Sequence, residues 1–313
     1  LLWMGMLTLP AVYVCAVLLG TSAALDGPAR ARVLTDLIEQ DRTAQSVAWR
    51  TATYEGSRLI GFPLAGILLT VVGPGWVVAL NAVSFIPSAA TAYASRLSAH
   101  PAPSPSSPSV WLAVRHVAST PHLRKAALLL FSFSLAAGNF QVALTPLLVS
   151  SWGVSARNTG WALSFIAAGA LLGSWSTSRP STASLRGIRV SCVMAGLAVI
   201  GVGLAPSMPS LVVAVSATGA AVAAAHNTAT SFALSGTHEQ MHGRVNAILK
   251  HVNMRGAAGG SFATARLLSH GTPGTALVAL GSMAVLGTAV LTVRMRRQPG
   301  ASGGPGSGAP AAG

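Results

Sequence analysis

Charge is what this 313-residue sequence has least of: 8% of it is Asp, Glu, Lys or Arg, against 51% hydrophobic residues. So few charges cannot coat a globule of that size, which excludes a soluble domain and makes lipid the solvent for much of the surface. Acids are the scarcest, six against 20 Lys and Arg, for a net charge of +14. That excess would suit a nucleic-acid partner only if the cations shared one polar or aromatic face, whereas here they sit between apolar runs. The two cysteines, Cys15 and Cys192, lie inside apolar segments with no CxxC or Cys/His spacing, so neither a disulfide framework nor a metal site is expected. There is no GxxxxGK[ST] phosphate loop and no HExxH helix, and His238 and His242, at i and i+4, lack a third ligand. The expectation is therefore no enzyme, no cofactor and no metal. A secretory signal peptide is also missing, since no basic segment and small-residue cleavage site frame the first apolar run.

Long apolar runs are what is plentiful. A helix crossing about 30 Å of hydrocarbon needs about 20 mainly apolar residues. Segments near 10–26, 47–72, 75–95, 124–150, 157–177, 188–205, 209–234, 244–268 and 273–293 qualify, and residues 1–8 read as the tail of another helix ended by Leu9-Pro10. The cations alternate between the connections. Arg30, Arg32, Arg42 and Arg50 follow the first span, Arg96, Arg115, Arg124 and Lys125 the third, and Arg179, Arg186 and Arg189 the fifth. Arg244, Lys250 and Arg255 follow the seventh span and Arg294, Arg296 and Arg297 the ninth, while the turns between carry none; only Arg58, Arg157 and Arg266 depart. Short basic connections stay in the cytoplasm, so the pattern predicts a multi-pass plasma-membrane protein with a cytoplasmic C-terminus. It also puts residue 10 on the outer side, as expected of a chain without its first two spans and most of the third.

Two stretches belong to no span. Residues 98–109 (SAHPAPSPSSPS) are a Pro/Ser linker, and residues 298–313 are a Gly/Ala/Ser/Pro tail with nothing to bury. The expected organisation is the remainder of an N-terminal helical bundle (1–97), a cytoplasmic linker (98–123), a C-terminal six-helix bundle (124–297) and a disordered tail (298–313). The two bundles echo one another at an offset of 200: Glu39-Gln40 with Glu239-Gln240, Arg50 with Lys250, Glu55 with Arg255 and Gly56 with Gly256. Two parallel, related bundles are the plan of transporters that rock one half against the other around a central site.

Five stretches in register carry a family likeness. They are Pro28-Ala29-Arg30 with Leu34, Asp36 and Leu37; Arg58 to Gly66 (RLIGFPLAG); Leu80 to Phe85; Pro121 to Lys125; and Gly243 to Asn246. Together they resemble the major facilitator superfamily, in its branch of macrolide efflux proteins and the enterobactin exporter, over helices four to twelve of that fold. The resemblance implies an all-α, two-bundle membrane fold and export of small amphiphilic molecules by alternating access with proton antiport. The rival expectation is a transport-inactive membrane protein that only packs with others. A polytopic membrane enzyme would need converging His or acid groups that the spans do not supply.

The candidate residues are the polar and small ones inside spans. Glu55 and Arg58, three apart, share one helical face and form either a proton-coupling pair or a structural one. His226 and Asn227 lie among small residues in mid-span and suit either an aqueous cavity or a helix contact. Asn139 and Gln141 stand in the helix that lines the cavity of a facilitator fold, or join helices through their amides. Gly61, Pro63 and Gly66, with Gly256, Gly259 and Gly260, suit close helix approach and bending. Arg30 and Arg244 suit anchoring or gating at the cytoplasmic end. The expected partners are a small-molecule substrate, protons and membrane lipid, with no nucleic acid.

Overall fold

The computed structural model describes residues 8–11, 13–22, 43–94, 110–137, 140–177, 183–235, 237 and 239–296. In chain order the helices are α1 (Leu9–Ser22), α2 (Thr43–Val71), α3 (Gly73–Ala94), α4 (Val110–Ser119), α5 (Pro121–Ala136) and α6 (Gln141–Pro146). They continue with α7 (Ala156–Ser176), α8 (Leu185–Gly203), α9 (Met208–Ser235), α10 (Glu239–Leu268) and α11 (Pro273–Arg296). There is no strand among the described residues. Over the described residues each expected span falls mainly on helix, and local chemistry sets several of the ends. Ser155 accepts from the Asn158 amide at 3.4 Å to cap α7, and Ser184 from Gly187 at 3.0 Å to cap α8. Pro121 opens α5 in the first turn, where a missing N–H costs nothing. Between α2 and α3 the chain reverses at Gly73, whose φ of 82° is in the left-handed region glycine enters freely.

One expectation about continuity is corrected. The segment 124–150 is not one unbroken helix: α5 ends at Ala136, and α6 starts at Gln141 and passes at Pro146 into a π turn, Leu147–Ser151. Beyond Pro146 the helix widens, closing with the Trp152 amide on the Leu147 carbonyl at 3.2 Å. Within the stretch 98–123, expected to be a cytoplasmic linker, α4 occupies Val110–Ser119, with Val117 buried against the bundle and Trp111 exposed. Its alternation of apolar and polar residues at helical spacing had been hidden by the neighbouring prolines.

By length and composition, Leu185–Gly203, Met208–Ser235 and Pro273–Met295 suffice to cross a membrane, as does Pro121–Ser151, of which residues 138 and 139 lie outside the described ones. The helix α10 is the most polar of the long helices, and α2 and α10 each bury one side against the bundle and leave the other exposed. Contacts run from α2 to α7, then to α9, α8, α11, α5 and α10, with α10 returning to α9. In lipid no hydrophobic effect pulls helices together, so close backbone approach must do it. A Cβ at Gly169 or Gly173 of α7 would strike the Ser216 or Ala220 carbonyl of α9, and one at Gly219 would strike the Ile166 carbonyl of α7. Gly196 and Gly281 stand against each other across α8 and α11, as do Gly203 and Gly274. Phe133, Leu129, Ile188, Val199, Leu211 and Leu277 fill the core between these crossings.

Candidate functional site

The charged pair lies on α2. Arg58 Nη1 donates to both carboxylate oxygens of Glu55, at 3.3 and 3.2 Å, and Glu55 is only 8% exposed. The same guanidinium lies over the rings of Phe62 and Tyr54, 4.9 and 5.5 Å from their centroids. Positions i−4, i−3 and i+4 from Arg58 fall on one side of a helix, so one stretch of sequence supplies an acid, its counter-ion and two ring faces. Inside a span such a pair persists only because each charge compensates the other.

One turn further along α2, the backbone meets α7. Pro63 and Gly66 are buried there, and a Cβ at Gly160 would strike the Phe62 carbonyl and come within 3.3 Å of the Gly66 Cα. Gly61 is corrected: it is exposed, and a Cβ there meets nothing within 4 Å, so no described helix packs on it. The periodicity of close contact on this helix runs through residues 62, 63 and 66, and Gly61 falls on the other side. On α10, Gly256 and Gly260 face the backbone of α5, where a Cβ would meet Phe131 O at 2.9 Å and the Leu135 carbonyl respectively. Gly259 faces the Leu135 side chain at 2.9 Å.

The polar residues of α9 divide in two. His226 is half-buried with its ring edge-on to Phe133 of α5, 6.4 Å between centroids. Asn227 is 9% exposed, and its amide reaches the Thr177 hydroxyl at 3.5 Å, joining the interior of α9 to the C-terminal end of α7. Thus His226 packs against α5 while Asn227 reaches the end of α7. Gln141 is half-buried in the first turn of α6, and Arg244 is half-buried near the start of α10. Asn139 and Arg30 lie outside the described residues.

Several groups had no signal in the sequence. Ser134 of α5 donates to the Asn253 amide oxygen of α10 in a short hydrogen bond across 119 residues of chain. Nothing in either segment names the other. Likewise Thr177 is an ordinary helix-end threonine until α9 is placed beside it. The rings around Arg58 were legible, because Tyr54 and Phe62 stand four residues to either side.

Chemically the arrangement offers an ion pair inside a helix, polar side chains between helices and backbone-on-backbone crossings. Among the described residues no three His, Cys, Asp or Glu side chains come together in a way that would hold a metal ion. No curated protein matches this chain. The family model for the Major Facilitator Superfamily matches residues 1–264. With its all-helical, multi-pass membrane architecture, the chain belongs to the major facilitator superfamily of membrane transporters.

Proposed function

We propose that the protein exports small amphiphilic molecules by alternating access, coupled to proton entry, as its resemblance to the macrolide efflux and enterobactin exporter branch implies. The observation that carries this reading is the buried Glu55–Arg58 pair, one turn before the α2–α7 crossing. A proton on Glu55 discharges the acid and leaves Arg58 without a compensating charge, which changes the electrostatics of α2 beside the contact it must slide on. The contact itself sets the backbone of Phe62 and Gly66 directly against Gly160, as close helix approach requires.

In this reading Glu55 carries the proton and Arg58 sets its affinity. His226, Gln141, Asn139 and Asn227 line or border the substrate path. Pro63, Gly66, Gly256, Gly259 and Gly260 allow the helices to shift, and Arg30 and Arg244 anchor the cytoplasmic ends. Residues 1–97 and 124–297 are the two moving bundles, joined by the 98–123 connection, in the plasma membrane with the C-terminus in the cytoplasm. The test uses inverted vesicles loaded with the full chain, following uptake of rhodamine 6G and carboxyfluorescein under an imposed pH gradient. Gradient-driven movement of either dye that is lost in Glu55→Gln is the expected result. Movement of neither dye, or an unchanged gradient dependence in Glu55→Gln, overturns the proposal.

A further inference from the structure

The helix α10 presents two unlike faces. Val245, Leu249, Gly256, Gly260 and Thr264 are buried on the side that meets α5. On the opposite side stand Arg244, His251, Arg255, Phe262 and Arg266, at i, i+7, i+11, i+18 and i+22, within roughly 60° of arc at about 100° per residue. His251, Arg255 and Arg266 are exposed, as is Phe262 at 79%. None of these cationic and imidazole side chains makes an ion pair or side-chain hydrogen bond with another described residue. At about 1.5 Å per residue, Arg255 lies about 24 Å from the start of α10 and about 20 Å from its end, in the middle of the helix.

An ionised guanidinium at that depth does not face hydrocarbon; it faces water or a compensating charge. The described residues hold no such charge for it. Their acids are Glu55, already paired with Arg58, and Glu239, in the first turn of α10 itself. The offset of 200 that relates the two halves sets Arg255 opposite Glu55 in the repeat, so α2 carries an ion pair where, among the described residues, α10 carries a cation with no acid paired to it.

We infer that this face of α10 borders the aqueous pathway and binds the carboxylate or sulfonate of an amphiphilic organic anion, with Arg255 as the main polar contact. Phe262, seven residues on and on the same face, receives the apolar part of the molecule, while Arg244 and Arg266 draw anions toward either mouth. This deepens the transport reading and rests on it for the direction of movement. A basic, cationic drug is correspondingly the poorer fit.

The test leaves every cation in place. Ala258, exposed and three residues from Arg255 on this face, is changed to Cys in the full chain carrying Cys15→Ser and Cys192→Ala. Purified protein is treated with sulfonatoethyl and trimethylammonioethyl methanethiosulfonate, each rate being normalised to that with a small free thiol. The anionic reagent is expected to react at least about fivefold faster, with Arg255→Gln in the same background bringing the ratio toward one and Arg255→Lys preserving it. 1-Naphthoate slows the labelling severalfold and 1-naphthylmethylammonium does not. Equal rates, a preference for the cation, protection by the ammonium compound, or no reaction with either reagent overturns the inference. Labelling requires no transport, so dye movement failing while the anion preference holds refutes only the transport reading, and the converse result refutes only this one.

Discussion

Adding one carbon at Gly160 tests how the two halves meet. A Cβ there would strike the Phe62 carbonyl oxygen and lie 3.2 Å from the Phe62 carbonyl carbon and 3.3 Å from the Gly66 Cα. Carbon atoms rest at about 3.5–4.0 Å, and all three obstacles are backbone, so no rotamer change relieves the clash and α2 must back away from α7. A gap of 0.5–1 Å, on the order of that retreat, forfeits roughly a quarter to a half of each dispersion contact along the crossing. Overpacking of this kind costs about 1–3 kcal/mol. Alanine also gains about 1 kcal/mol of helix propensity over glycine, which blurs a single measurement. Gly61→Ala is the control, because it has the same propensity gain on α2 and nothing within 4 Å to meet. The difference between the two variants therefore isolates the clash, at about 2 kcal/mol, with Gly160→Ala the less stable. Titration of the purified protein from dodecyl maltoside into SDS micelles, followed by tryptophan emission with Trp161 beside the site, measures it. If the variants unfold within about 0.5 kcal/mol of each other, or Gly61→Ala is the worse, the α2–α7 contact is not as described here.

Ser134→Ala removes the donor to Asn253 between α5 and α10 and is expected to cost about 0.6–1.7 kcal/mol in the same titration, with an unchanged midpoint counting against the pair. Arg58→Gln leaves the nearly buried Glu55 carboxylate without its partner and is expected to destabilise by roughly 3 kcal/mol, Glu55→Gln costs less because Arg58 is 23% exposed, and the double variant recovers most of the loss. Additive effects in that cycle would show the two side chains to be independent. Ser104→Cys, in the Pro/Ser stretch, is expected to escape an impermeant thiol reagent in intact cells and react in inverted vesicles; labelling of intact cells reverses the orientation.

Composition and the spacing of apolar runs determined the fold class without help, because hydrocarbon leaves a spanning chain few ways to satisfy its backbone other than helices of about 20 residues. The pair Glu55–Arg58 was legible for the same local reason: three residues of helix bring two side chains together whatever surrounds them. The interrupted fourth span was only half visible, since Pro146 marks a disturbance but does not say whether the helix kinks, ends or widens. Which glycine carries a crossing was beyond the sequence altogether. Gly61 and Gly66 look alike in RLIGFPLAG, yet only Gly66 meets α7, and its counterpart Gly160 lies 94 residues away. The bond from Ser134 to Asn253 and the meeting of Asn227 with Thr177 belong to the same class. Periodicity along one helix gives its faces, but which face meets which neighbour is fixed by the packing of all the helices at once, and only the tertiary structure holds that information.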